Sequence, residues 1–191
     1  MAGKQAGPAC RGDEDALYDV LCYGTISVEN ITHLSHLPTP RRDPTARYEY
    51  DDLGGEALNV AVPLATWGLH VAVAGNLIGT DRKAEFIRHE LARHPGIDAS
   101  HLIQHPNVTT PFTRVLVTPD GERSRIAYWY DEAPKDELLH STMARAKILS
   151  VDAYGVHRGF HLAAISSCRR QRCGDLLVHL AADQFPRRIR L

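Results

Sequence analysis

Gly54-Gly55-Glu56-Ala57-Leu58-Asn59-Val60-Ala61 decides how this chain is read. Two adjacent glycines stand between a polar, turn-rich segment and an apolar run ending in Trp67-Gly68-Leu69. With no Cβ at either position, backbone can come close to a ligand. Asn59 then offers an amide that both donates and accepts hydrogen bonds, the combination that a polyhydroxylated small molecule requires. The plainer alternative is that the glycine pair only leads into a helix and Asn59 is an ordinary exposed residue.

Outward from this stretch, the pattern alternates between strands and helices. Residues 56 to about 68 read as a helix, with Gly68 as its C′ stop and Pro63 inside it, where it should kink the helix or move its start. Before it, Tyr18 to Gly24 is a short apolar run closed by glycine, a buried strand. Thr25 to Asn30 read as a turn or strand end. Residues 33–52 are polar and dotted with prolines, and Arg47-Tyr48-Glu49-Tyr50 alternates like an exposed strand or flap.

After the helix, Val71 to Asn76 is another strand. Asp81 to His94 is an amphipathic helix with Phe86, Ile87 and Leu91 on one face, ended by Pro95-Gly96. Leu102-Ile103, Thr113 to Thr118 and Arg125 to Trp129 read as strands, the last two joined by the turn Pro119-Asp120-Gly121-Glu122 into a hairpin. Ala146 to Val151 and Leu176 to Leu180 are further strands, with a helix over Leu162 to Arg172 between them. Such alternation predicts an α/β domain around a mostly parallel sheet. The hairpin and the Arg47 to Tyr50 segment do not fit a pure βαβ chain and predict a small accessory sheet or lid.

Composition narrows the function classes. The 191 residues allow one domain with a sizeable core, or part of a larger one. A net charge of −1 gives no long-range attraction to nucleic acid or an acidic membrane. The arginines at 169, 170, 172, 187, 188 and 190 lack interleaved aromatics, so nucleic-acid binding is not expected. No apolar run approaches membrane-spanning length. The four cysteines (Cys10, Cys22, Cys168, Cys173) form no paired C-x-x-C framework, and no secretory signal is evident. Reduced thiols and a cytoplasmic location are the expectation.

At this point the order of motifs resembles the ribokinase or PfkB family of carbohydrate kinases, from about Asp19 to Gly155. Val20-Leu21-Cys22-Tyr23-Gly24-Thr25-Ile26-Ser27-Val28-Glu29 is similar to the family's first strand, where a small residue and then an acid face the sugar. Gly54-Gly55-x-Ala57-x-Asn59, with Ala61 and Leu64-Ala65-x-x-Gly68, resembles its first signature. Gly75-Asn76-x-Ile78-Gly79-x-Asp81, Gly96-Ile97-Asp98 and Thr109-Thr110-Pro111-Phe112-Thr113 are similar to its later strand ends and starts. The resemblance implies a ribokinase-like three-layer α/β sandwich with a mostly parallel sheet and a small β lid. It also implies transfer of the γ-phosphoryl of ATP, with Mg²⁺, to a sugar or nucleoside hydroxyl.

On that resemblance, Gly54, Gly55 and Asn59 hold substrate hydroxyls, and Glu29 accepts hydrogen bonds from two of them. The family usually has Asp at the Glu29 position; the extra methylene pushes the carboxylate further in and favours a smaller or shifted substrate. The lid sheet could also pair between two copies as a homodimer.

Three segments are expected: a loose extension over residues 1–17, a substrate-binding and lid region over 18–155, and an Arg-rich continuation over 156–191. The family's G-A-G-D-type loop, which supplies an anion hole and the catalytic Asp, has no counterpart here. Arg172-Cys173-Gly174-Asp175 comes nearest but lacks the first glycine. The chain therefore reads as ending partway through the family fold, leaving a sheet edge bare and the polypeptide only marginally stable alone. No catalytic residue is assigned. Three other signals are assigned to ordinary structure. His33-x-x-His36 lacks further ligands at metal spacing. Asp152 stands at a strand end, where α/β sheets bind ligands, but reads equally as a helix N-cap, and Tyr128-Trp129-Tyr130 reads as packing of the hairpin.

Overall fold

A computed structural model describes residues 17–128, 145–152 and 175–179. Its elements are β1 (Tyr18–Gly24), β2 (Ser27–Leu34), β3 (Ala46–Gly54), α1 (Glu56–Thr66), β4 (Val71–Gly75), α2 (Arg82–Leu91), β5 (Ile97–Asp98), β6 (Phe112–Val117), β7 (Arg123–Tyr128), β8 (Ala146–Asp152) and β9 (Asp175–His179). They form two sheets. One has the order β5-β4-β1-β8-β9 and is parallel at every pairing. The other has the order β3-β2-β6-β7, with β2 antiparallel to β3 and parallel to β6, and β6 antiparallel to β7.

Strand alternation divides the core of the parallel sheet. Val20, Cys22, Val71 and Val73 face α1 and α2, packing with Ala57, Leu58, Ala61, Ala84, Ile87 and Leu91. Leu21, Tyr23, Ala72 and Ala74 turn the other way and are equally buried, joined by Leu149 and Val151. Burial on both faces explains why β1 and β4 read as continuous apolar runs rather than alternating ones. Each large aliphatic side chain removed from water here contributes about 1.5–3 kcal/mol. The second sheet continues from β1 through the turn at Thr25-Ile26 and carries the expected hairpin, with Val117 paired to Arg123.

The sequence expectations are met for most elements and corrected at two. Residues 27–34 form a full strand, β2, where the sequence reads as a turn or strand end running into a polar segment. Polar residues (Glu29, Asn30, Thr32, His33) hide its period. Leu102-Ile103 is not a strand; its region holds only an isolated bridge between Ile78 and Gln104. The reason is a turn in which Leu102 N–H donates to the Ala99 carbonyl.

Pro63 does not move the start of α1, which runs from Glu56 through it with Pro63 on its exposed side. The helix ends as expected: Gly68 has φ of 90°, and the Leu69 N–H reaches back to the Leu64 carbonyl. The expected helix over Leu162 to Arg172 and the Arg172 to Gly174 string lie outside the described residues, as do Trp129, Tyr130 and most of the two flanking segments.

Candidate substrate-binding site

The glycine pair is held by two different contacts. Gly55 sits at φ 89°, a left-handed conformation that side chains rarely adopt, and a methyl group there would overlap the Thr25 carbonyl. That carbonyl is in use: the Ala57 N–H donates to it at 3.2 Å. Since Gly55 has no capping side chain, the β1–β2 turn supplies an acceptor to the first turn of α1. Gly55 is thus required by close packing of backbone on backbone.

Gly54 is required by a side chain. A methyl group on it would stand 2.6 Å from Glu29 Cγ and 3.0 Å from Ser27 Oγ. Gly54 pairs with Ser27, and Glu29 stands opposite Asp52 on β3 and Thr113 on β6. In strands, residues two apart share a face. Ser27 and Glu29, with Gly54, Asp52 and Thr113 beside them, therefore form one polar patch where the lid meets the parallel sheet. Glu29 is half-buried, Asp52 exposed and Thr113 buried. Ser27, Asp52 and Thr113 were not singled out as site residues from sequence; only strand register reveals them.

Asn59 lies one helical turn beyond Gly55, its N–H donating to the Gly55 carbonyl at 3.0 Å. Its side chain is exposed rather than packed against hydrocarbon. It borders a groove of about 490 Å³ that runs along α1, where Val60, Leu64, Trp67 and Ile148 give apolar walls and Ser150 is a further lining residue. Glu29, Gly54 and Gly55 do not line that groove. The fold thus joins Glu29 to Gly54 and sets Asn59 on the adjoining helix, facing a different opening.

A buried amide holds the base of this region. Asn76, 2% exposed, accepts from the Ile26 N–H at 2.8 Å and donates to the Ile26 carbonyl at 3.0 Å. This ties the end of β4 to the β1–β2 turn. Asp81 caps α2 through the Lys83 and Ala84 N–H groups. Partial burial pushes its carboxyl up. The N–H donors of Thr110 and Ala84, the Thr110 side chain and the charge of Lys83 outweigh that and hold it below the ordinary value. Cys22, behind the site, is pushed up to about 12 by burial, against a smaller opposing effect from its hydrogen bond with Ser150, so it is no nucleophile.

A family model described as pfkB family carbohydrate kinase matches residues 19–188. The chain belongs to the PfkB family of carbohydrate kinases. No curated relative matches it significantly. Among solved structures, it is similar to ribokinase from Arabidopsis thaliana complexed with ribose and ATP (TM-score 0.70, 14% identity, 86% of this chain and 54% of that one). It is also similar to Halothermothrix orenii fructokinase (TM-score 0.69, 18% identity, 84% and 56%). A third is the Methanocaldococcus jannaschii nucleoside kinase, an archaeal member of the ribokinase family (TM-score 0.62, 18% identity, 85% and 52%). The fold is thus ribokinase-like, and the chain spans about half the length of these structures. No helix among the described residues is long and apolar enough to cross a membrane. No group of three or more His, Cys, Asp or Glu among them is placed to hold a metal ion.

Proposed function

We propose that this chain is the substrate-binding and lid part of a PfkB-type kinase, acting on a sugar or nucleoside hydroxyl with ATP as phosphoryl donor. The observation that carries the reading is the fit of Glu29 against Gly54. Glycine at 54 leaves the Glu29 carboxylate room near the start of β2, a few residues past the carboxyl end of β1, the side of a parallel sheet on which α/β folds place ligands. In this reading the carboxylate accepts from two substrate hydroxyls, with Thr113 beside it in the β2–β6 register. Such charge-assisted bonds are worth about 1.5–3 kcal/mol each. Ribose and ATP in the Arabidopsis neighbour support both ligand classes.

Phosphoryl transfer also needs a base and donors around the transferring group. No G-x-G-D string occurs in the 191 residues, so the reading assigns this chain binding rather than proton transfer, and no catalytic residue is named. The test is to mix the protein with ATP, Mg²⁺ and a panel of pentoses, hexoses and nucleosides, following binding by calorimetry and turnover by ADP release. Saturable binding of one panel member without ADP release is expected. ADP release by the chain alone would refute the assignment of binding only.

A second reading, a non-catalytic sugar-binding or oligomerisation module, is favoured by one observation. Tyr48 and Tyr50 on the lid's edge strand β3 are 57% and 46% exposed and stack with His33 (centroids 4.3 Å for His33–Tyr48). Aromatic residues on an open edge suit pairing with a second copy. Sedimentation of Tyr48→Glu against the unaltered chain tests it: a dimer that dissociates on substitution supports the module, and a monomer in both cases rejects it.

A further inference from the structure

The geometry points to Asp81 as a positioning residue for the lid: one carboxylate oxygen caps α2 while the other fixes the point where the chain passes into β6. Asp81 Oδ1 accepts from the Lys83 and Ala84 N–H groups at 3.1 and 3.0 Å. Asp81 Oδ2 turns the other way and accepts from the Thr110 N–H at 2.9 Å. Thr110 is fully buried, and its Oγ1 accepts from the Gly79 N–H at 3.0 Å. The Gly79 carbonyl in turn accepts from Gln104 Nε2 at 3.1 Å. An N-cap requires only the first of these interactions. The rest bind the end of the β4 connection to a residue two positions before β6.

From Thr110 the constraint runs directly into the lid. The Pro111 carbonyl accepts from the Val28 N–H at 3.1 Å. Two residues further on, Thr113 stands beside Glu29 in the β2–β6 register. A second contact spans the same gap: Lys83 Nζ lies 4.5 Å from the centre of the Phe112 ring, which stacks on Tyr128 at 4.3 Å. The first turn of α2 thus grips β6 by a carboxylate and a cation, and β6 carries β2 and Glu29. Asp81 touches no ligand in this arrangement; it acts through Thr110. The proposal rests on the kinase reading only where Glu29 is said to meet substrate, and the mechanical coupling stands without it.

Amide hydrogen exchange on the chain as given separates the two tasks of the carboxylate. Asp81→Ser keeps a cap oxygen for α2 but has no second oxygen for Thr110. Thr110→Val removes, at nearly constant volume, both the acceptor for Gly79 and the hydroxyl that bonds Asp81 while keeping the Thr110 N–H donor to Asp81, and Thr110→Ser keeps the hydroxyl. The expected result is exchange at least about tenfold faster at residues 113–117 in Asp81→Ser and Thr110→Val. Residues 86–91 of α2 should be unchanged in both, and Thr110→Ser should restore the lid. Unchanged lid protection in Asp81→Ser and Thr110→Val would overturn the proposal, as would loss confined to α2, leaving Asp81 a helix cap only. Failure of the chain to bind any sugar or nucleoside would remove Glu29's role while leaving this exchange pattern as expected.

Discussion

Gly54 and Glu29 occupy each other's space: a methyl group on Gly54 would stand 2.6 Å from Glu29 Cγ. Gly55 differs in kind, since its obstruction is the Thr25 backbone and its φ is positive. The two alanine substitutions should therefore separate. Gly54→Ala displaces a side chain that can rotate, and should cost about 1–2 kcal/mol of stability. Gly55→Ala strains backbone on both sides, and should cost about 3 kcal/mol or more. Urea denaturation midpoints at constant m-value check the ordering; equal losses would mean that the Glu29 contact does not matter.

The Asn76 amide closes both the N–H and the C=O of Ile26 inside the core. Asn76→Ala leaves a buried donor and acceptor without partners, each costing about 1–3 kcal/mol. A loss of about 2–4 kcal/mol in chemical denaturation is expected. A loss under about 1 kcal/mol would show that water reaches the turn.

At the opposite end of the sheet, the Tyr18 hydroxyl donates to Asp98 Oδ2 at 2.6 Å, and His101 Nε2 lies 3.3 Å from the Tyr18 hydroxyl oxygen. Burial raises the Asp98 carboxyl, but Tyr18, Ser100 and His101 together bring it below the ordinary value. Its contribution to stability is full above the unfolded carboxylate value, near 3.9, and is lost as pH falls through the lower folded value. Tyr18 moves the other way, raised by burial, the Asp98 hydrogen bond and the Asp98 charge, against Arg145. Its contribution is full below about pH 10 and is lost as pH rises through the folded value. Tyr18→Phe should flatten the alkaline limb of a melting-temperature profile and weaken the acid limb. An unchanged profile would contradict the network.

The short apolar runs Tyr18 to Gly24, Val71 to Asn76 and Ala146 to Val151, separated by helices, made the parallel sheet legible, because strands of a sheet covered on both faces are written as apolar runs. Gly68 and Asp81 marked helix ends through ordinary capping chemistry. β2 was not legible: Glu29, Asn30, Thr32 and His33 break the apolar pattern of a strand that pairs on both sides in the second sheet. The line from Asp52 through Glu29 to Thr113 is a product of register between strands far apart in sequence. No local pattern encodes it. The sequence reading placed Glu29, Gly54, Gly55 and Asn59 in one site. The fold joins the first two and packs Gly55 under Thr25, while Asn59 borders a groove that the other three do not line.

Titration of the sugar and nucleoside panel into ¹⁵N-labelled protein tests the central claim most directly, using the unaltered chain, Glu29→Gln and Asn59→Ala. At least one compound is expected to shift the amides of residues 27–29, 54–55 and 113 together. Glu29→Gln should weaken that binding about 10- to 100-fold, as loss of a charge-assisted acceptor requires, and Asn59→Ala, on a groove that Glu29 does not line, should leave it unchanged. Binding that leaves those amides unmoved, or that is unchanged in Glu29→Gln, would contradict the account.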